Sequence, residues 1–306
     1  MDSHKQIRIL QINLQRARAT LPNALQFAKE ENINIIFAQE PYISLNKEIG
    51  NSIGAILSSF RILIKSAIIY IGPLTPIIVH TTLHTITIKL EFLIHPLFCT
   101  SIYAPPSIDL QEILIELDSI QLPPNSNHII AGDFNAHSPV WGAPVENNRG
   151  RLLLEFIQEK RLTILNNANS PPTFLTLRAQ GWIDLTLATP KIASLITNWK
   201  VSEIESFSDH RFITFEIQSD FTFNKKRRFK THYGGHNKFI ANLQNYSASI
   251  LHSLKIASSK AEVNSSVSYL INSITEICNA SYKRCLGTKK LSTPWWNQNL
   301  AIERKK

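Results

Sequence analysis

The chain has 306 residues, is 43% hydrophobic and carries a formal charge of +9. That is enough apolar material for one or two packed domains, and with 10 Gly and no low-complexity tract it argues against a disordered or fibrous protein. The three cysteines, Cys99, Cys278 and Cys285, form no Cys-x-x-Cys pair, so neither a disulfide framework nor a zinc site is expected and a reducing compartment is the default.

From the N-terminus, no charged-then-apolar leader precedes the first strand pattern at 7–14. Residues 21–31 read as a helix, with Thr20 as its N-cap and Pro22 in its first turn. The run 33–39 is apolar throughout, as in a strand buried on both faces. A strand-rich middle follows at 52–58, 61–71, 77–90 and 92–103, where Thr85-Ile86-Thr87-Ile88-Lys89-Leu90 alternates with period two. Its longest apolar stretch, 62–71, is broken by Lys65 and too short for a bilayer, so no membrane span is expected. A helix over 108–119 stops before Pro123-Pro124. A short strand at 128–131 ends at Gly132, and an amphipathic helix covers 150–161. Strands at 162–165, 183–188, 199–204 and 212–217 complete this part. Antiparallel runs with interspersed helices imply an α/β (α+β) chain with two packed sheets and helices outside.

The texture changes near residue 220. Residues 1–219 hold 17 Lys and Arg against 19 Asp and Glu, whereas 220–306 hold 15 against 4. Lys225-Lys226-Arg227-Arg228 opens the basic part, helices are expected at 238–254 and 261–285, and Thr293-Pro294-Trp295-Trp296-Asn297 starts a further short helix. The domains are therefore set at 1–219 and 220–306. The charge asymmetry implies a polyanionic partner.

Several polar residues stand where apolar strands run out: Asn13, Glu40, Tyr103, Asp133 with Asn135, Asp184, and Asp209 with His210. Hydrolysis of a phosphodiester needs a hard cation on oxygen ligands, a base for the attacking water and a group to stabilise charge on the phosphate, and this residue set supplies those types. Taken singly each has a plain structural alternative. Gly132-Asp133-Phe134-Asn135 suits a turn, Glu40 a solvated strand end, Asn13 a backbone brace, Tyr103 a core aromatic, Asp184 a buried cap and His210 a core histidine.

In this order, Asn13, Gln39-Glu40-Pro41, Ser101-Ile102-Tyr103-Ala104-Pro105-Pro106, Gly132-Asp133-Phe134-Asn135-Ala136-His137, Ile183-Asp184-Leu185 and Ser208-Asp209-His210 resemble the endonuclease/exonuclease/phosphatase superfamily. Gln11-Ile12-Asn13-Leu14-Gln15-Arg16-Ala17, Trp141-Gly142, Asn148-Arg149-Gly150-Arg151 and Pro172-Thr173-Phe174 look like the endonuclease domain of arthropod non-LTR, jockey-like retrotransposons. Trp295-Trp296-Asn297 resembles the linker before their reverse transcriptase, which does not follow in this chain. The resemblance implies a four-layered sandwich of two packed mixed β-sheets flanked by helices, with a C-terminal helical extension. It implies a Mg²⁺- or Mn²⁺-dependent endonuclease that nicks one strand of double-stranded DNA and leaves a 3′ hydroxyl for target-primed reverse transcription, working in the nucleus, with the basic region available to element RNA. It assigns Glu40, Asp209 and Asn13 to the metal, Asp133 and Asn135 to the water and phosphate, and His210 to the phosphate or proton transfer. Asp184 would orient His210, Tyr103 would meet the phosphate or leaving group, and Asn147, Arg149, Thr173 and Ser208 would contact the substrate. One departure stands out: where AP endonucleases have Asn-x-Asp, this chain has Asn13-Leu14-Gln15, an uncharged amide that argues against a host AP endonuclease or phosphomonoesterase. A third alternative is an inactive relic that only binds nucleic acid.

Overall fold

The computed structural model describes residues 6–42, 55–58, 65–72, 74–92, 95–218, 227–231 and 234–286. The side chains of the 225–228 cluster and the Trp295-Trp296-Asn297 segment lie outside the described residues. Described residues fall into two compact units, 6–218 and 227–286.

The first unit contains two six-stranded sheets. One is built from β1 (Ile7–Asn13), β2 (Ile35–Gln39), β3 (Ala55–Ser58), β4 (Ser66–Tyr70), β13 (Ile196–Val201) and β14 (Ile213–Ile217), in the order β13-β14-β1-β2-β4-β3. The other is built from β5 (Ile77–Thr81), β6 (Thr85–Leu90), β7 (Leu97–Tyr103), β8 (Asn127–Asp133), β9 (Thr163–Ile164) and β12 (Asp184–Ala188), in the order β5-β6-β7-β8-β12-β9. A small hairpin, β10 (Phe174–Leu175) with β11 (Gln180–Gly181), stands apart from both. Each large sheet has one parallel pair, β1 with β2 and β7 with β8, and is antiparallel elsewhere, so both are mixed.

Side chains alternate across a strand, so each strand serves two layers. Ile9, Ile35, Phe37 and Ile68 meet Ile86, Ile88, Cys99, Ile129 and Ala131 between the sheets. Leu10, Ile12 and Leu14 point the other way, onto Ala24, Phe27 and Ala28 of α1 (Thr20–Glu30), where the Phe27 and Phe212 rings stack at 4.5 Å. Ile130, Leu185 and Leu187 pack against α2 (Leu110–Asp118) and α3 (Asn148–Glu159). A one-turn α4 (Pro190–Ala193) adds Ile192 to the central layer. The four-layered sandwich expected from the sequence is present.

Three local expectations need correction. Thr20 is not the N-cap of α1: it is the first helical residue, and its buried hydroxyl donates back to the carbonyls of Leu14 and Ala17, tying β1 to the helix. The run 77–90 is not one strand but the hairpin β5–β6, because the Thr82 hydroxyl accepts from the backbone N–H groups of His84 and Thr85 and closes a turn there. The helix expected over 261–285 ends at Ser281.

In the second unit α5 (His236–Ile256) and α6 (Lys260–Ser281) form a hairpin; α6 opens with a capping box between Ser259 and Glu262. Beyond α6 the backbone turns extended at Tyr282, whose ring stacks on Phe239 at 5.7 Å, and β16 (Arg284–Leu286) pairs with β15 (Arg227–Phe229). Among the described residues no helix is long and apolar enough to cross a membrane.

Candidate active site

The layer between the sheets changes character along the strands. At one end its inward positions are Ile7, Ile9, Ile35, Leu97, Cys99 and Ile129, all buried and apolar. At the other they become Gln11 and Asn13 on β1, Gln39 on β2, Ser101 and Tyr103 on β7, Asp133 on β8, and Thr186 and Asp184 on β12, which runs the opposite way. Buried polar groups are normally paired, and several of these pair across the gap, although Gln39 Oε1 and Asp184 Oδ1 have no hydrogen-bond partner among the described residues. Gln11 donates through Nε2 to the Gly132 carbonyl at 3.0 Å and accepts from the Thr186 hydroxyl at 3.0 Å. Gln39 donates to Ser101 Oγ at 2.9 Å. The sheets are thus hydrogen-bonded to each other just below the site.

Gly132 sets the last step of β8. A Cβ at this position would stand 1.9 Å from the backbone oxygen of Ile102 on β7, so only glycine allows this close parallel approach. The next residue, Asp133, then faces the gap with 2% exposure. Its Oδ2 accepts from Asn13 Nδ2 at 2.9 Å, and its Oδ1 accepts the Asn135 N–H at 3.0 Å. His210 is also buried, with Nδ1 2.8 Å from Asp184 Oδ2 and Nε2 3.9 Å from Asp133 Oδ2. Asp184 fixes the ring so that Nδ1 carries a proton and Nε2 looks into the gap. The Phe174 ring covers His210 edge-on at 5.1 Å.

These contacts skew the titrations. Burial opposes charge on His210, yet the carboxylates of Asp184, Asp133 and Glu40 outweigh it and raise its pKa to about 9. Burial, then the charge of Asp184, push the Asp133 carboxyl upward. Burial, then Glu40 and Asp133, push the Tyr103 phenol up, so it stays a neutral O–H donor. The Lys65 ammonium sits 5.7 Å above the Tyr103 ring.

Loops complete the rim. Gln15, Arg16 and Glu40 all have left-handed φ, between 45° and 54°, which is uncommon outside glycine and clusters at sites where the surroundings enforce it. Arg16 pairs with Glu40 at 3.2 Å. Gln15 Nε2 donates to Asp209 Oδ2 at 3.0 Å, Gln15 Oε1 accepts the Asp209 N–H at 2.9 Å, and the Ser208 hydroxyl donates to the Asn13 carbonyl at 2.7 Å. The resulting concavity, about 360 Å³, is lined by Asn13, Gln15, Glu40, Tyr103, Asp133, Asn135 and His210, with Phe174 and Gly181 of the small hairpin forming a wall.

Of the residues singled out in the sequence, Asn13, Glu40, Tyr103, Asp133, Asn135, Asp184 and His210 therefore meet in one place, and Asp209 and Ser208 are tied to it through Gln15 and Asn13. Asn147, Arg149 and Thr173 have their polar atoms taken up within the chain. Asn147 caps α3 by accepting the Gly150 N–H at 2.8 Å and also accepts the His137 N–H. Arg149 donates to the carbonyls of Ile108, Ala104 and Phe134 at 2.7, 2.9 and 2.9 Å. The buried Thr173 hydroxyl accepts from the N–H groups of Ile183 and Asp184. These three hold the backbone on which Asp133, Asn135 and Asp184 stand. Gln11, Gln15 and Ser206 were not singled out as supports; a polar residue inside an apolar strand, as Gln11 is, was the available signal.

Asp133, Asp184 and His210 bring ligand-type atoms within 4.8 Å of one another. His210 takes one oxygen of Asp184, Oδ2, while Asp184 Oδ1 is buried without a hydrogen-bond partner among the described residues; Glu40 and Asp133 add carboxylate oxygens at the concavity, and such an oxygen-rich set suits a hard ion.

Residues 97–214 match a family profile described as endonuclease-reverse transcriptase. The 115 kDa protein in type-1 retrotransposable element R1DM of Drosophila melanogaster is 26% identical over 223 residues, which is 67% of this chain and 21% of that protein. The chain thus spans about a fifth of this curated relative. Among solved structures, the endonuclease domain of TRAS1, a telomere-specific non-LTR retrotransposon, is 27% identical with a TM-score of 0.63 and covers 70% of this chain and 99% of that one. The AP endonuclease LMAP of Leishmania major shares the fold, with a TM-score of 0.54 at 11% identity over 72% of this chain and 90% of that one.

Proposed function

Because the chain carries an endonuclease domain of the endonuclease/exonuclease/phosphatase superfamily, of the non-LTR retrotransposon kind, we propose that it nicks one strand of double-stranded DNA by phosphodiester hydrolysis, with a divalent cation, and leaves a 3′ hydroxyl. The observation that supports this best is the buried sequence Asn13–Asp133–His210–Asp184, joined across two sheets at the floor of the concavity. Such a nick is the primer that reverse transcription of an element needs, which would place the work in the nucleus; the basic second unit is available to element RNA.

The donors fit a hard cation, since Glu40, Asp133 and Asn13 offer oxygen at the concavity, Asp209 offers it next to Gln15 on the rim, and no cysteine lines the concavity. Glu40, with Asp209 and Asn13, would hold Mg²⁺ or Mn²⁺, which when bound supplies charge neutralisation at phosphorus and a more acidic water. Asp133, whose carboxyl is pushed upward by burial, would take the proton of the attacking water, with Asn135 beside it to orient that water. His210, held charged by Asp184, would meet a phosphate oxygen through Nε2 and stabilise the charge that builds there. Tyr103, kept neutral, would donate its O–H to the phosphate or the leaving oxygen.

Supercoiled plasmid incubated with Mg²⁺ should give relaxed circles that retain a 3′ hydroxyl, and EDTA should stop it. Asp133→Ala should abolish nicking while DNA binding persists. No relaxed circles from the wild-type chain, or full activity in Asp133→Ala, would sink the proposal. Cleavage of an abasic duplex but not an intact one would point instead to an AP endonuclease.

A further inference from the structure

Phe207 lies in the connection between β13 and β14, one residue before Ser208 and three before His210. It is 56% exposed and has φ of 57°. Both properties run against the residue type. Left-handed backbone is the province of glycine and, less often, Asn or Asp, and an exposed phenyl ring forfeits the burial that normally selects it.

The loop has no freedom to relax this. The hydroxyl of buried Ser206 accepts the Ser208 N–H at 3.1 Å and donates to the carbonyls of Ser208 and His210. Asn23 Nδ2 holds the Glu205 carbonyl at 2.9 Å on one side of Phe207. On the other side Ser208 is tied to Asn13 and Asp209 to Gln15. The backbone is pinned on both flanks, and the exposed ring belongs to a loop whose next two residues, Ser208 and Asp209, are hydrogen-bonded to Asn13 and Gln15 of the concavity. Such outliers persist where the surroundings over-determine them, most often at functional sites.

The flanking charges narrow what the ring can meet. Glu205 and Asp209 stand two residues to either side, and both are exposed. Two carboxylates repel a phosphate, whereas the face of a base or a deoxyribose is uncharged and apolar.

We propose that Phe207 is a substrate-contacting wedge that packs on a base or sugar next to the bond to be cut, so that cleavage favours steps that unstack readily. This rests on the nuclease reading above. An apolar side chain pressed into a base step exchanges stacking within the duplex for stacking on the protein, and pyrimidine–purine steps yield most easily.

The full chain with Phe207→Gly and Phe207→Tyr tests this. Glycine adopts the same φ without strain, so its melting temperature should be unchanged or higher, which separates contact from folding. A short duplex carrying 2-aminopurine at successive positions, without divalent cation, should bind the wild type and Phe207→Tyr with a rise in fluorescence at one step. Phe207→Gly should bind about tenfold more weakly and give no rise. On plasmid DNA with Mg²⁺, wild-type nicks should cluster at pyrimidine–purine steps and those of Phe207→Gly should spread. Equal affinity and equal fluorescence for the wild type and Phe207→Gly overturn the wedge, whether or not the protein cuts. A fluorescence rise lost only in Phe207→Gly, from a wild type that makes no nicks, supports the wedge and refutes the nuclease reading.

Discussion

Gln15 grips Asp209 from both ends, donating through Nε2 to its carboxylate at 3.0 Å and accepting its backbone N–H on Oε1 at 2.9 Å. The departure from an Asn-x-Asp pattern therefore exchanges a charge for a clip. A carboxylate at position 15 could only accept, and would face Asp209 as a like charge. Gln15→Ala should loosen the Ser208–His210 loop and lower the nicking rate about tenfold, equivalent to about 1.4 kcal/mol in the barrier, while melting changes little because Gln15 is only half-buried and Asp209 is exposed. An unchanged rate would show that the loop holds its place without the clip.

Asp184 and His210 form the second pair. Asp184→Asn keeps the shape but replaces an acceptor that holds the imidazolium with an amide that supports it poorly. Nicking should fall by about a hundredfold with DNA affinity retained. Single-turnover rates alongside filter binding check this; a parallel loss of affinity would mean that the site had collapsed.

Arg149 spreads its guanidinium over the carbonyls of Ile108, Ala104 and Phe134. Lysine keeps the charge but cannot make that fork. Arg149→Lys should cost about 2 kcal/mol in urea unfolding through unpaired carbonyls. Its affinity for DNA should stay within about twofold if Arg149 is a brace, and the slope of affinity against salt should not change. A shallower slope would make Arg149 a phosphate contact instead.

Gly132→Ala should be among the most damaging small substitutions in the chain. The added methyl meets the Ile102 backbone, which is part of a parallel strand pair and has nowhere to move. A loss of about 3 kcal/mol is expected, measured by thermal or urea unfolding. Wild-type stability would mean that β7 and β8 can part without cost.

His128 gives a pH signature away from the site. It is buried, and its Nε2 lies 2.7 Å from the Thr100 hydroxyl. Burial holds its pKa down at about 4 against an ordinary 6.5. Below pH 4 both folded and unfolded chains carry the proton, and above 6.5 neither does; between them only the unfolded chain does. Stability is therefore full above pH 6.5 and is lost as pH falls toward 4, by roughly 3 kcal/mol from this group. Urea midpoints from pH 4 to 7 should show the slope, and His128→Gln should flatten it.

The strands were legible because they are long apolar runs, and the candidate site could be drawn up because several of those runs end in a polar residue. What the sequence hid was contact between distant segments. Thr20 has the composition of an N-cap, but its hydroxyl is claimed by the end of β1. Residues 77–90 are apolar enough to read as one strand, and only the Thr82 turn divides them. The strand at 284–286 depends on a partner more than fifty residues upstream. Asn147, Arg149 and Thr173 carry the residue types of substrate contacts, yet their donors and acceptors are satisfied by loops that lie near them only in the fold.

The graded layer between the sheets has a consequence for how such a domain can change. Apolar and polar groups occupy opposite ends of the same strands, so folding draws mainly on Ile9, Phe37 and Ile129, and the candidate site on Asn13, Asp133 and Asp184. Loops beyond the polar end, including the one that carries Phe207, can vary without disturbing the apolar end. A lineage of such domains could explore new targets by drifting at the rim while its foundation stays constant.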